Sequence, residues 1–218
     1  MTQFSQHLQA DIERLEASIY SDSIGVVDVE GVVHHEFADG GHGRKYDCDK
    51  ILTDSDLYVQ MTGVYARAIR ETYEDRLPDA IAGMANGANR FAITIAPLLG
   101  SGVVSLTTEK TGPKSVRLDE VSRVLAETNN FEFVLEIDDV GTSGSTTSSM
   151  LEELNDLGIG RIEVFHYAQR RKVLPYLERL LVPYHTLTLI TLPTYTQHDC
   201  QTRPDGYCAT GVPLLAHH

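Results

Sequence analysis

The sequence predicts an α/β protein with a central, mostly parallel sheet flanked by helices. Three observations carry this. Apolar segments of strand length alternate with amphipathic segments of helix length along the chain. Two of the strand-like segments, residues 80–84 and 133–137, each run into a loop of small residues and then a helix. The second ends on adjacent carboxylates, Asp138 and Asp139, followed by Gly141-Thr-Ser-Gly-Ser-Thr146. Strand, acids, small-residue loop and helix form the arrangement by which α/β proteins hold phosphorylated ligands at the carboxyl end of a sheet.

The elements follow in order. Residues 3–20 place Phe4, Leu8, Ile12, Leu15 and Ile19 on one helical stripe. Strands are expected at 24–29 and 32–37, with a turn at Glu30-Gly31 between them. Residues 36–50 carry three glycines among Arg44, Lys45, His42 and Tyr46, and read as a mobile loop with donors and a stacking surface. A helix at 56–74 repeats Leu57, Met61, Val64, Tyr65, Ala68, Ile69 and Tyr73, with the tyrosines facing a core. The strand at 80–84 leads through a small-residue loop, 85–89, to a helix at 91–99. A strand at 102–108 runs into a polar segment, 109–115, with Gly-Pro at its centre and the lysines Lys110 and Lys114. Leu118, Val121 and Leu125 mark a helix over 118–128. The central strand at 133–137 precedes a helix through Thr147, Met150, Leu151, Leu154 and Leu157, stopped by Gly158. A strand at 161–167 ends near His166, read as a structural histidine; a helix at 170–181 and a strand at 185–192 follow.

Composition bounds the function. The 218 residues fit one domain with a sizeable core and a small appended subdomain. A net charge of -13 argues against general affinity for nucleic acid or anionic membranes, so an anionic substrate must be held by local donors and a metal. No apolar run approaches the ~20 residues of a membrane span, and no signal-peptide pattern opens the chain, so a cytoplasmic protein is expected. Cys48, Cys200 and Cys208 make no disulfide framework. His198, Cys200 and Cys208 invite a zinc reading. Their spacing is not a Cys-x-x-Cys knuckle and a fourth ligand would come from afar, so a surface tail is the favoured reading.

The stretch 138–146 carries the chemistry. Backbone N–H groups of Gly141 to Thr146 and the hydroxyls of Thr142, Ser143, Ser145 and Thr146 supply phosphate donors, aided by the helix start. Asp138 and Asp139 would repel a bare phosphate, and so should face sugar hydroxyls or hydrated Mg²⁺. No Gly-Lys-Ser/Thr follows, which excludes a Walker A loop. The serines lack the second glycine of a nucleophile elbow. The alternative without a ligand is that Asp139 starts a turn and Ser143 or Ser145 caps the helix.

Val134-Leu-Glu-Ile-Asp-Asp-Val-Gly-Thr-Ser-Gly-Ser-Thr146 resembles the phosphoribosyl-pyrophosphate (PRPP) loop of the type I phosphoribosyltransferases. The resemblance implies that fold, with a hood subdomain from about 24–50 plus the C-terminal segment and a core from about 55–192. It places PRPP against Asp138, Asp139, Val140, Gly141, Thr142, Ser143, Gly144, Ser145 and Thr146, with the two aspartates on the ribose hydroxyls and 142–146 around the 5′-phosphate. By position, Ala85, Asn86 and Gly87 correspond to the pyrophosphate loop, and 109–115 to a catalytic lid in which Lys110 or Lys114 reaches pyrophosphate. Phe37, Gly41 and Tyr46 resemble the base-covering segment of orotate phosphoribosyltransferases, which implies base binding by His42, Arg44, Lys45 and Tyr46.

The implied activity joins a nitrogenous base, orotate or a related one, to PRPP with release of pyrophosphate, in pyrimidine nucleotide metabolism. Mg²⁺ is the implied cofactor, carried by PRPP with Asp138 and Asp139 as protein oxygens, and a homodimer is the implied assembly. Asp39 stands where the orotate enzymes have lysine. Two alternatives therefore stay open: transfer to a purine or another pyrimidine, and a PRPP-binding regulator with weak catalysis.

Overall fold

In the computed structural model, residues 4–20, 34–36, 40–44, 46–85, 87–112, 115–141, 144–170, 175–189 and 193–215 are described. The elements are α1 (Gln6–Ile19), β1 (His34–Glu36), β2 (Gly41–Gly43), α2 (Cys48–Ile51), α3 (Ser55–Thr72), β3 (Ala80–Gly83), α4 (Gly87–Leu99), β4 (Val104–Leu106) and β5 (Thr108–Gly112). There follow β6 (Ser115–Leu118), α5 (Glu120–Asn129), β7 (Phe133–Gly141), α6 (Ser145–Asp156), β8 (Arg161–Gln169), α7 (Pro175–Leu180), β9 (Tyr184–Leu189), β10 (Thr194–Thr196), α8 (Gln197–Thr202) and β11 (Leu214–Leu215). They divide into two units, Met1–Glu13 with Val59–Ile190, and Arg14–Tyr58 with Thr191–His218.

The larger unit is a five-stranded sheet in the order β4-β3-β7-β8-β9, flanked by helices. Every neighbouring pair in it is parallel. Near-continuous apolar runs explain this: β3 is buried at all four positions and β7 at its first five, as strands covered on both faces require. Helix α6 buries Met150, Leu151 and Leu154, each worth roughly 1.5–3 kcal/mol on removal from water. From β3 the chain goes to one neighbour, β4, and returns to the other, β7. The carboxyl ends of β3 and β7 therefore flank the switch point of the sheet, where open α/β sheets bind ligands.

Several expectations shift. The central strand runs to Gly141 instead of stopping at residue 137, because β8 continues to pair with it through Gln169. Helix α4 starts at Gly87, within the expected loop. Leu118 belongs to β6, and α5 turns Ser122 and Ala126 inward while Val121 is 71% exposed. Of the three apolar residues, Leu118 and Leu125 pack against the core and Val121 does not; Ser122 is drawn in by its hydroxyl, which accepts from Thr107 N at 2.8 Å. The polar segment 109–115 is not a plain loop. Within it, β5 pairs antiparallel with β6, with Pro113 and Lys114 outside the described residues.

The smaller unit has a four-stranded sheet, β10-β2-β1-β11. The expected mobile loop at 36–50 contains β2, which pairs with β1 on one side and β10 on the other. Most of the strands expected at 24–37 lies outside the described residues, as do Phe37 and Asp39. The surface-tail reading fails for Cys200, which is fully buried on α8, whereas His198 is exposed. Two positions on a helix differ by roughly 200°, so the two side chains point apart.

Candidate active site at the sheet switch point

Gly83, the last residue of β3, lies opposite Ile137. Asp138 to Gly141 thus run beyond their neighbour, and the two acids are freed from the buried interior. Both aspartates are half-buried. Asp138 Oδ1 accepts from Asp139 N at 2.9 Å, and Asp139 Oδ1 accepts from Val140 N at 2.6 Å. Burial first, then the charges of Asp139 and Glu136, push the Asp138 carboxyl well above the usual carboxylate range.

Two groups lie beneath the acids. Glu136 is fully buried, and its Oε2 faces His166 Nε2 at 3.5 Å. Neither side chain makes a hydrogen bond among the described residues, so the reading of His166 as a fully satisfied structural histidine is corrected to that of a buried group held against a carboxylate. Glu136, Asp138 and His166 bring their ligating atoms within 4.8 Å of one another. Tyr65 on α3 donates its hydroxyl to Phe165 O, and stands 3.2 Å from Asp138 O. That hydroxyl ties α3 to the ends of β7 and β8.

Gly141 fits because it has no side chain. A Cβ there would lie 2.2 Å from His166 Nδ1. Gly144 then adopts φ +78° as the N-cap of α6, a conformation glycine accepts without strain. A glycine cap has no side-chain oxygen, and among the described residues no side chain caps the first turn of α6, a helix start that suits an anion.

The second strand–loop–helix unit is equally close-packed. A Cβ on Gly83 would lie 2.5 Å from Ala88 O, so glycine lets the start of α4 sit directly on the end of β3. Asn89 clamps this corner: its Nδ2 donates to Thr108 O at 2.8 Å and its Oδ1 accepts from Thr108 N at 2.9 Å. The β5–β6 hairpin is anchored along β6: Ser149 Oγ on α6 donates to Val116 O, opposite Lys110, at 3.1 Å, and at the base Glu153 Oε2 accepts from Leu118 N at 2.7 Å.

No family model matches the chain. It is 24% identical over 185 residues to an orotate phosphoribosyltransferase of Caldanaerobacter subterraneus, covering 84% of this chain and 86% of that protein. Its structure is similar to orotate phosphoribosyltransferase from Aeropyrum pernix, with a TM-score of 0.58 and 16% identity over 82% of this chain and 93% of the other. The Mycobacterium tuberculosis orotate phosphoribosyltransferase solved with PRPP gives a TM-score of 0.56 and 18% identity over 82% and 96%. The chain has the type I phosphoribosyltransferase fold and is similar to orotate phosphoribosyltransferases. These relatives are enzymes of pentosyl transfer by name.

In this phosphoribosyltransferase fold, the sheet brings together Asp138, Asp139, Val140, Gly141, Gly144 and the start of α6, with Thr146 half-buried on its first turn. Thr142 and Ser143, and the side chain of Ser145, lie outside the described residues. Of the expected pyrophosphate loop, Ala85 follows β3 and Gly87 opens α4, while Asn86 lies outside. Lys110 is exposed on β5. His42, Arg44 and Tyr46 are buried in the smaller unit, and Lys45 is outside the described residues. Glu136, His166, Tyr65, Asn89 and Thr108 escaped the sequence reading as parts of this site. Their relation to the loop depends on strand register, and only the apolar-to-acid change at Glu136 inside a buried strand hinted at it.

Proposed function

We propose that this chain transfers the 5-phosphoribosyl group of PRPP to a ring nitrogen of a nitrogenous base, orotate or a related one. The C1–oxygen bond to pyrophosphate breaks, a C1–nitrogen bond forms, and the base gives up its ring N–H proton. The observation that carries the proposal is the pair of half-buried carboxylates beside a glycine-capped helix start at the switch point of the sheet. Asp138 and Asp139 accept hydrogen bonds from the ribose hydroxyls and fix the ring. The negative charge of Asp139 also opposes the positive charge that grows on the ring as pyrophosphate leaves. First-turn N–H groups of α6 take the 5′-phosphate. Lys110, exposed on β5, is a cation offered to the departing pyrophosphate.

Mg²⁺ fits this arrangement. The ion takes oxygen ligands and keeps several waters, and Asp138 and Asp139 offer oxygens at a half-buried position. Glu136 and His166, 0% and 1% exposed, are placed to support Asp138 rather than to meet a hydrated ion. Bound with PRPP, Mg²⁺ would supply neutralisation of the pyrophosphate charge. A homodimer is proposed as the working assembly, checked by sedimentation.

The test is pyrophosphate release from PRPP with a panel of orotate, uracil, cytosine, adenine and hypoxanthine, with and without Mg²⁺. Release that depends on one base and on Mg²⁺ is expected. PRPP binding without release from any base would make the chain a PRPP-binding regulator.

A further inference from the structure

The smaller unit holds a second set of convergent groups, remote in sequence from the PRPP loop. Glu36 pairs with His42 across β1 and β2, so these two side chains share a face, and His34, two residues before Glu36, lies on it as well. Onto that face come Cys200 from α8 and Cys208 from the turn after it. Cys208 Sγ lies 3.3 Å from His34 Nε2 and 3.4 Å from His42 Nδ1. Cys200 Sγ lies 3.8 Å from His34 Nε2. All four ligating atoms are within 4.8 Å of one another. His34, His42 and Cys200 are buried, at 0%, 2% and 0% exposure.

We propose that His34, His42, Cys200 and Cys208 form a tetrahedral zinc site that staples the smaller unit together. Bonds of about 2.3 Å to sulfur and about 2.0–2.1 Å to nitrogen, set at tetrahedral angles, separate S from N by about 3.5 Å. The three measured S···N separations bracket that value. Two thiolates balance the charge of Zn²⁺, so the loaded site is neutral and can be buried without an unpaired charge. Binding releases the two thiol protons and takes both imidazoles in their neutral form.

The surroundings support the same reading. Cys208 N donates to Cys200 Sγ at 3.2 Å, as a backbone amide does to a metal-bound thiolate. The turn that carries Cys208 back is closed around Cys200: Ala209 N donates to Cys200 O at 3.0 Å, and a Cβ on Gly206 would lie 2.3 Å from that oxygen. Tyr207 stacks on the His34 ring with centroids 5.5 Å apart. The unit also has reason to need a staple. Its strands are only two or three residues long, and small scaffolds of this kind often depend on a metal or disulfide. The site would occupy Nδ1 of His42, which takes this imidazole away from the base-binding role implied by the resemblance.

The test uses the full chain, purified under reducing conditions, with metal content measured after exposure to excess Zn²⁺ and desalting. About one zinc per chain is expected, falling to less than about a tenth in Cys200→Ser and Cys208→Ser and staying near one in His198→Ala. Loading wild type with Co²⁺ should give a thiolate-to-cobalt charge-transfer band and the intense visible bands of a tetrahedral ion. This spectrum keeps the proposal falsifiable if the cysteine variants fail to fold. No stoichiometric zinc, no thiolate band with Co²⁺, or zinc retained in the Cys200→Ser/Cys208→Ser double variant would each overturn it.

Discussion

In the larger unit the candidate chemistry is contiguous: Asp138, Asp139, Gly141 and Gly144 follow one another from strand to helix. In the smaller unit Cys208 and His34 are 174 residues apart and meet only because short strands from both ends of the chain pair. A ligand loop at the end of a strand needs small residues, free N–H groups and acids in a fixed order, and a sequence displays that order. A tetrahedral set needs only four atoms in one place, which chain spacing does not reveal. The first site depends on what one segment lacks in side chains, and the second on what several segments contribute.

The comparison can be broken most sharply at Gly141. Gly141→Ala would drive a methyl group into the imidazole of His166, with a cost above about 3 kcal/mol or a displaced loop. PRPP affinity measured by calorimetry should fall at least tenfold, while zinc content stays unchanged. Chelation of the metal should do the reverse. Thermal unfolding should lose several degrees in the wild type and nothing further in Cys208→Ser.

A smaller effect is expected at Tyr65. Tyr65→Phe leaves the carbonyls of Phe165 and Asp138 without the hydroxyl, for a loss of about 1–3 kcal/mol in urea unfolding. The smallest effect is a slope. The folded-state pKa of Asp138 is raised, so the native state holds this proton more tightly than the unfolded chain does. The resulting stabilisation is complete below the unfolded carboxylate pKa of about 3.9 and is lost as pH rises through the raised folded value. Asp138→Asn should therefore flatten that fall in stability with pH, as measured by urea unfolding at a series of pH values. An unchanged slope would remove Asp138 as its source.

Much of the larger unit was legible because buried parallel strands are written as apolar runs and small-residue loops mark their carboxyl ends. The acid pair and the glycines that end β7 and open α6 stand in the sequence as one run. Glu136 and His166 were not grouped with them, since strands β7 and β8 bring them together only through register. Val121 was turned inward by the apolar spacing, but the hydroxyl of Ser122 takes that position, while Leu118 is buried on β6 and not on the helix. In the smaller unit, His198 was grouped with Cys200 by proximity in sequence, but a helix turns neighbours two apart to opposite sides. The histidines that do approach the cysteines come from β1 and β2, whose partners are supplied by the far end of the chain.

The central claim is that the strand end at Asp138 and Asp139 and the start of α6 hold PRPP. It is tested most directly by calorimetric titration of PRPP into wild type and Asp139→Asn, with and without Mg²⁺. Saturable binding that strengthens with Mg²⁺ and weakens at least tenfold in the variant is the predicted result. Binding that is absent under both conditions, or identical in the variant, would contradict it.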